Sequence, residues 1–272
     1  MAIAAVAALA GCGSTGTNGV AKKGAGSIVA TAEGAVLNAT SVHIQGQFTS
    51  GNQPVALDLR LEKDKGASGT VTIGTEVLEL LRVGPDVYVK GDEAFYRSVL
   101  SRLGTASAPA PSAPSAPSTS GSASGSSSKS PSAAGSSSAG TSTTGTPSAG
   151  QSSSDNSIAV TAMQINYLHI GPTDAQYQTF ASLTDPRQLL AQIMQGIGSL
   201  GKDGQKDIRG TKSIVLSGSK DTRVYVAIDG QPFLERVLPP GGGTLDFMDY
   251  NTPVTLNPPP PGQVVDIAKI AK

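Results

Sequence analysis

Residues 41–91 read SVHIQGQFTSGNQPVALDLRLEKDKGASGTVTIGTEVLELLRVGPDVYVKG, and apolar side chains alternate with polar ones along much of this stretch. The alternation is clearest at 55–62, VALDLRLE, where every second residue is Val or Leu. A period of two residues is typical of strands that bury one face. The glycines at 51 and 66 lie between such runs and favour antiparallel hairpins. The stretch therefore predicts an antiparallel meander.

Further strands and a few helices extend the pattern in both directions. Apolar residues at helical spacing predict a helix over 27–38. A second helix is predicted to begin at Asp185-Pro186, with Asp as N-cap and Pro in the first turn, and to end at Gly196. Additional strands are predicted at 158–170, 213–216, 222–228, 232–237, 243–250 and 264–267. The predicted fold class is α+β.

Residues 104–157 consist almost wholly of Ser, Ala, Pro, Gly and Thr, and Lys129 is their only charged residue before Asp155. Such a segment cannot bury enough apolar surface to offset the entropy of ordering it, so we expect a disordered insertion. Residues 27–103 would form a thin core alone, and a long loop costs little extra entropy. We therefore interpret 27–103 and 158–267 as a single interrupted domain; the alternative is a linker between two domains.

The N-terminus reads MAIAAVAALAG over residues 1–11, which is too short to span a bilayer but has the length of a signal-peptide core. Leu9-Ala10-Gly11-Cys12 resembles the lipobox of bacterial lipoproteins. The resemblance implies that Cys12 carries the lipid, with acyl chains such as palmitate as the membrane anchor. Residues 12–26 would then be a flexible tether. A cysteine buried in an ordinary apolar helix is the alternative. No Lys or Arg precedes the apolar run, so we expect the natural start to lie upstream.

Charge and cysteine content exclude several classes of function. Lys plus Arg and Asp plus Glu both total 20, so no net positive field favours nucleic acid. A single cysteine excludes an internal disulfide and a thiolate metal cluster. His43 and His169 have no further ligands at metal-binding spacing, and we interpret them as ordinary strand residues. We expect no metal, no cofactor and no nucleic-acid partner.

Catalytic motifs receive little support. Residues 196–203, GIGSLGKD, match a dinucleotide GxGxxG and nearly match a P-loop. Those motifs need a preceding strand and a following helix, whereas here a predicted helix precedes and a polar loop follows. No GxSxG surrounds a serine in the predicted folded segments, and the carboxylates are spread singly. We expect that the protein is not an enzyme; an envelope hydrolase is the least favoured alternative.

Several longer stretches resemble one family. They are SVHIQGQF, ALDLRLEKDKGASGTVTIG, ELLRVGPDVYVKG, AFYRSVL, FASLTDPRQLL, VYVAIDGQPFLERV and LDFMDYNTPVTLNPP. Together they resemble actinobacterial LppX/LprG-like lipoproteins, whose wider fold is similar to that of LolA-type carriers. The resemblance implies a strongly curved antiparallel sheet, or half-open barrel, closed by helices over an apolar cavity for acyl chains. It also implies a lipid-anchored protein on the extracytoplasmic face of the cell membrane.

On this interpretation the cargo is an acylated lipid or glycolipid, and the inward rows of the strands and of the second helix supply the cavity wall. The candidates for lining it are Leu57, Leu59, Leu61, Val71, Ile73, Val87, Val89, Leu189, Leu190, Ile193 and Met194. The same rows could instead pack into a solid core. The protein would then be a tethered interaction or sensor module, with the insertion as a spacer. No protein partner is indicated by the sequence.

Overall fold

The computed structural model describes residues 17–50, 52–98 and 165–270. The predicted signal peptide, Cys12 and the predicted disordered insertion all lie outside these residues. So do residues 158–164 of the strand predicted at 158–170; within its described part, the strand is Tyr167–Ile170.

The described residues form a single twelve-stranded sheet. Its strands are β1 (Ser41–Ser50), β2 (Gln53–Glu62), β3 (Gly66–Ile73), β4 (Glu76–Val83), β5 (Asp86–Gly91), β6 (Tyr167–Ile170), β7 (Gly201–Ile208), β8 (Thr211–Ser217), β9 (Arg223–Ala227), β10 (Leu234–Leu238), β11 (Gly243–Met248) and β12 (Val264–Asp266). Their order is β12-β6-β5-β4-β3-β2-β1-β11-β10-β9-β8-β7. Every pair is antiparallel except β12 with β6. Strand β1 joins the two halves of the sheet, β12 to β2 on one side and β11 to β7 on the other, because it pairs with both β2 and β11.

Helices cover the concave face of the sheet. They are α1 (Ala25–Asn38), α2 (93–98), α3 (Tyr177–Thr184), α4 (Pro186–Met194) and α5 (Ile267–Ile270), with single 3-10 turns at Val20–Lys22 and Pro261–Gln263. Helix α1 contacts β9 and β10, α3 contacts β3, β4 and β5, and α4 contacts both α1 and α3. The predicted start of α4 is confirmed, because the Asp185 carboxylate accepts hydrogen bonds from the amides of Arg187 and Gln188, each at 2.9 Å.

The predicted fold class is confirmed: an α+β fold with a curved, unclosed, mostly antiparallel sheet under helices. Apolar side chains of the inner face form one cluster, to which α1 adds Ile28, Ala32 and Val36. The helices therefore bury the apolar face of the sheet, and the opposite face, here called the outer face, carries most of the polar partners of each strand.

Two predictions need correction, and two helices were missed. The tether was predicted to reach Gly26, but Val20 is 1% exposed and Thr17 bridges Asp229, so the folded part includes Thr17 onward. The burial of Val20 could not be predicted from the sequence, because a lone valine among polar residues shows no apolar periodicity. The polar loop predicted after Gly201 is strand β7, an edge strand that is exposed except at Ile208 and so lacks alternation. Helices α2 and α3 are short, and α3 also lacks the capping side chain that identifies the start of α4.

Glycines allow the central strands to approach each other closely. Gly46 in β1 has φ +147°, and a Cβ there would lie 2.0 Å from the carbonyl oxygen of Thr244 in β11. Gly69 in β3 has φ +151°, and a Cβ there would lie 1.9 Å from the carbonyl oxygen of Asp58 in β2. Glycine inside a strand is typical of a tight bend or a close backbone approach. We infer that these two positions permit the curvature of the sheet.

We expect Gly46→Ala to lower the free energy of unfolding by about 3 kcal/mol, because alanine is strained at this backbone conformation and collides with β11. Gly34→Ala in α1 is the matched control, since nothing lies within 4 Å of its added Cβ. Removing a helix-interior glycine should stabilise the protein by up to ~1 kcal/mol. Urea unfolding followed by circular dichroism measures both. Equal effects of the two substitutions would contradict the role given to Gly46.

Candidate functional site

The predicted lining residues lie together on the inner face of the sheet and on α4. Nine of the eleven are at most 4% exposed and belong to the main apolar cluster, while Ile73 and Met194 are partly buried against it. Ile73 borders a cavity under α3, and Leu61 borders a second cavity at the other end of that helix. For the remaining residues, a lining role stays a prediction.

The cavity that Ile73 borders has a volume of about 240 Å³ and lies between the sheet and helices α2, α3 and α5. Its apolar walls are Ile73, Leu78, Leu168 and Ile170 from the sheet, with Phe95, Phe180, Leu183 and Ile267 from the helices. Polar side chains also line it: Gln53, Glu76, Ser98, Gln176 and Thr179. A concave, mainly apolar site with a few polar groups is the usual form of a small-ligand site. We call it the α3 cavity.

Phe95 and Phe180 form an aromatic roof over the α3 cavity. Their ring centroids are 6.3 Å apart with the planes at 71°, an edge-to-face arrangement that aromatic rings favour. Phe95 also packs edge-on against Tyr96, with centroids 5.3 Å apart. A Cβ at Gly91 would collide with the Phe95 ring, so glycine at the end of β5 makes room for it.

Local hydrogen bonds hold helix α2 in place. The Asp92 carboxylate accepts from the amide of Phe95 at 2.8 Å and from that of Val77 at 3.0 Å, which ties the start of α2 to β4. Tyr96 is fully buried; its hydroxyl accepts from the amide of Gly91 at 3.2 Å and donates to the carbonyl of Asn166 at 3.1 Å. Burial raises the pKa of Tyr96, so its hydroxyl stays protonated at neutral pH.

Sequence reasoning did not select the roof residues. Phe95 and Phe180 belong to the stretches AFYRSVL and FASLTDPRQLL that carried the family resemblance, yet neither segment is long enough to show helical periodicity. Their shared role depends on the tertiary fold, which brings α2 and α3 together across a wide separation in the chain. Besides the resemblance, Asp92 is a local signal for the start of α2, because its carboxylate accepts a hydrogen bond from the Phe95 amide as an N-cap does.

A second cavity of about 310 Å³ lies at the far end of α3 and is much more polar. The turn between β2 and β3 contributes Lys63, Asp64 and Lys65, and the start of α4 contributes Asp185 and Arg187. Lys65 already pairs with Glu62, at 2.6 Å. Charges of both signs surround this cavity, which makes it a poor site for an acyl chain.

Both histidines lie on the outer face and pair with aspartates. His43 is 5% exposed; its Nε2 lies 2.7 Å from Asp58 and its Nδ1 lies 3.1 Å from Asp249. His169 Nε2 lies 3.0 Å from Asp86. Across 17–50, 52–98 and 165–270, no group of three or more His, Cys, Asp or Glu side chains is arranged to hold a metal ion. These contacts link neighbouring strands.

The glycine motif at 196–203 has no phosphate-binding geometry. It follows the end of α4, runs through an irregular segment and enters the edge strand β7, so no helix starts after its glycines. A P-loop presents the amides of a following helix to phosphate. The order of the elements here is the opposite.

An ionic network on the outer face joins β10 and β11. Arg236 donates to both carboxylate oxygens of Asp246, at 2.7 and 3.0 Å, and Arg209 Nη1 lies 2.5 Å from the same carboxylate. Burial opposes ionisation of Asp246, but the bonds and charges of the two arginines outweigh it and hold its pKa below the usual value. Burial raises the pKa of Glu235 to about 7, although Arg209 acts against this shift.

Within the described residues, no helix combines the length and the apolar character needed to cross a bilayer. No family model and no curated protein matches the chain. Among solved structures it is similar to the crystal structure of LprF from Mycobacterium bovis, with 12% sequence identity and a TM-score of 0.45, over 85% of this chain and 95% of that chain. The likeness concerns the course of the fold alone and says nothing about a ligand.

We expect Glu235→Gln to remove part of the pH dependence of stability. The folded protein keeps a proton on Glu235 up to about pH 7, whereas the unfolded chain releases it near 4.5, so wild-type stability falls as the pH rises through this window. Glutamine stays neutral throughout. The melting temperature of the wild type should therefore fall more than that of the variant as the pH rises from 5 to 8. Parallel melting curves over this range would contradict the assignment.

Proposed function

We propose that this protein is a membrane-anchored envelope lipoprotein that binds or transfers lipid through the α3 cavity. The observation that supports this most directly is the cavity itself, whose walls include eight apolar side chains from the sheet and from three helices. Burying a methylene group in such a site contributes about 0.8 kcal/mol. About eight buried carbons would therefore contribute roughly 6 kcal/mol toward binding, before the cost of association.

We further propose that the folded residues on the two sides of the 104–157 segment, predicted as 27–103 and 158–267, form one interrupted domain, whose start the burial of Val20 moves to Thr17. Pairing between β5 and β6 supports this, because β5 precedes the 104–157 segment and β6 follows it. The Tyr96 hydroxyl also connects Gly91 with Asn166 across the same segment. A division into two separate domains would have to cut through these contacts.

The proposed anchor is a lipid on Cys12, which would hold the domain on the extracytoplasmic face of the membrane. The support is the sequence Leu9-Ala10-Gly11-Cys12 after an apolar run. A tethered interaction or sensor module is the alternative function, and dense packing of most of the predicted lining residues favours it. The two functions differ in one measurable property, a stoichiometric lipid ligand.

We expect the full chain carrying Cys12→Ser, purified from its own envelope, to retain lipid in native mass spectrometry, with the lipid class read from organic extraction. Leu183→Trp should abolish this, because the larger ring fills the α3 cavity. Ile165→Trp is the matched control, since the Ile165 side chain is 70% exposed and does not line the α3 cavity. Melting temperatures check that all variants are folded. A protein that arrives empty and remains empty when lipids are offered would make the tethered module the leading function.

The anchor has its own test. We expect the wild-type chain to incorporate labelled palmitate and to enter the detergent phase on partitioning, because two or more acyl chains form a stable anchor. Cys12→Ser should lose both properties while its fold is unchanged. If the label and the partitioning persist in Cys12→Ser, the anchor lies elsewhere.

A further inference from the structure

The α3 cavity is small compared with the volume that a multi-chain lipid needs. At about 240 Å³ it corresponds to roughly eight water-sized volumes of about 30 Å³, and a methylene group has a similar bulk. Two acyl chains of ordinary length would need several times this space. One chain can enter with about eight carbons buried.

The roof offers little freedom to widen the cavity. Phe95 is 4% exposed, packs against Gly91 and follows the Asp92 cap, while the neighbouring Tyr96 is fully buried and held by two hydrogen bonds. Tightly packed aromatic side chains resist displacement, because a void or an overlap costs free energy. The shape of the cavity therefore favours a single narrow chain.

The charges that line the cavity bear on the head group that it can accept. Glu76 is the one charged side chain among the described residues that line it, and Lys and Arg are missing from that lining. Glu76 begins β4 and shares the inner face with Leu78 and Leu80, because alternate residues of a strand point the same way. A carboxylate or phosphate head group would meet the Glu76 carboxylate without a cation to offset it. A hydroxyl head group can donate a hydrogen bond to it instead.

We propose that the α3 cavity takes one single-chain amphiphile whose head group donates hydrogen bonds and carries no negative charge, such as a monoacylglycerol. The inference rests on the proposed lipid-binding function and narrows its cargo. Glu76 selects the head group, and the roof of Phe95 and Phe180 limits the number of chains.

The test is a calorimetric titration of the full chain carrying Cys12→Ser with three ligands of equal chain length, each at a concentration at which light scattering detects no aggregates. These are monodecanoylglycerol, decanoate and didecanoylglycerol. We expect monodecanoylglycerol to bind about tenfold more tightly than either of the others. Glu76→Gln should strengthen decanoate binding about tenfold and leave didecanoylglycerol weak.

Glu79→Gln is the matched control. It removes the same charge from the same strand, but Glu79 lies on the outer face, where its carboxylate accepts a hydrogen bond from Tyr167 at 2.8 Å. The preference for monodecanoylglycerol should be unchanged in this variant. Leu183→Trp should weaken binding of monodecanoylglycerol, which places the ligand in the α3 cavity.

The outcomes separate this inference from the function on which it rests. Tight binding of didecanoylglycerol would overturn the single-chain limit and leave lipid binding intact. Equal affinity for decanoate and monodecanoylglycerol, or the same change in Glu76→Gln and Glu79→Gln, would overturn the role of Glu76 alone. Failure of all three ligands to bind would overturn the proposed function itself.

Discussion

Pairing of β1 with β2 on one side and β11 on the other is the interaction on which the rest of the structure depends. It makes one continuous sheet from segments that are distant in the chain, and a sheet with one apolar face has to be covered. His43 reinforces this junction on the outer face, since its ring contacts Asp58 of β2 and Asp249 beyond β11. Helix α1 can cover β9 and β10, and α3 can cover β3 to β5, because the junction places both sets on one concave surface.

The strands with one buried face could be predicted from the sequence, and the reason is physical. Leu57, Leu59 and Leu61 are buried and alternate with polar residues that face outward, so periodicity and burial coincide. Asp185 identified the start of α4 because capping is a local interaction. Strand β7 could not be predicted because both of its faces are exposed, so its apolar and polar residues do not alternate. The burial of Val20 could not be predicted because its neighbours show no apolar periodicity.

The candidate site could be predicted less well than the fold. An inward leucine has the same sequence pattern whether it packs against another side chain or borders an empty volume, so periodicity cannot distinguish core from cavity. Ile73 borders the α3 cavity whereas Leu59 is fully packed, although both were selected by the same rule. The roof depends on Phe95 and Phe180, which meet only after α2 and α3 have packed on the sheet. These distinctions are tertiary, and no local signal encodes them.

The contact between Thr17 and Asp229 bears on how the protein would be oriented in the cell. Four residues lie between Thr17 and the proposed lipid on Cys12, and the five residue steps from one to the other span about 18 Å when the chain is fully extended. A compact domain of about 190 residues has a radius of gyration of roughly 16 Å, so such a short tether cannot reach around it. The part of the surface around Asp229 would therefore stay beside the lipid headgroups, and the protein would diffuse in two dimensions with one side turned permanently toward the bilayer.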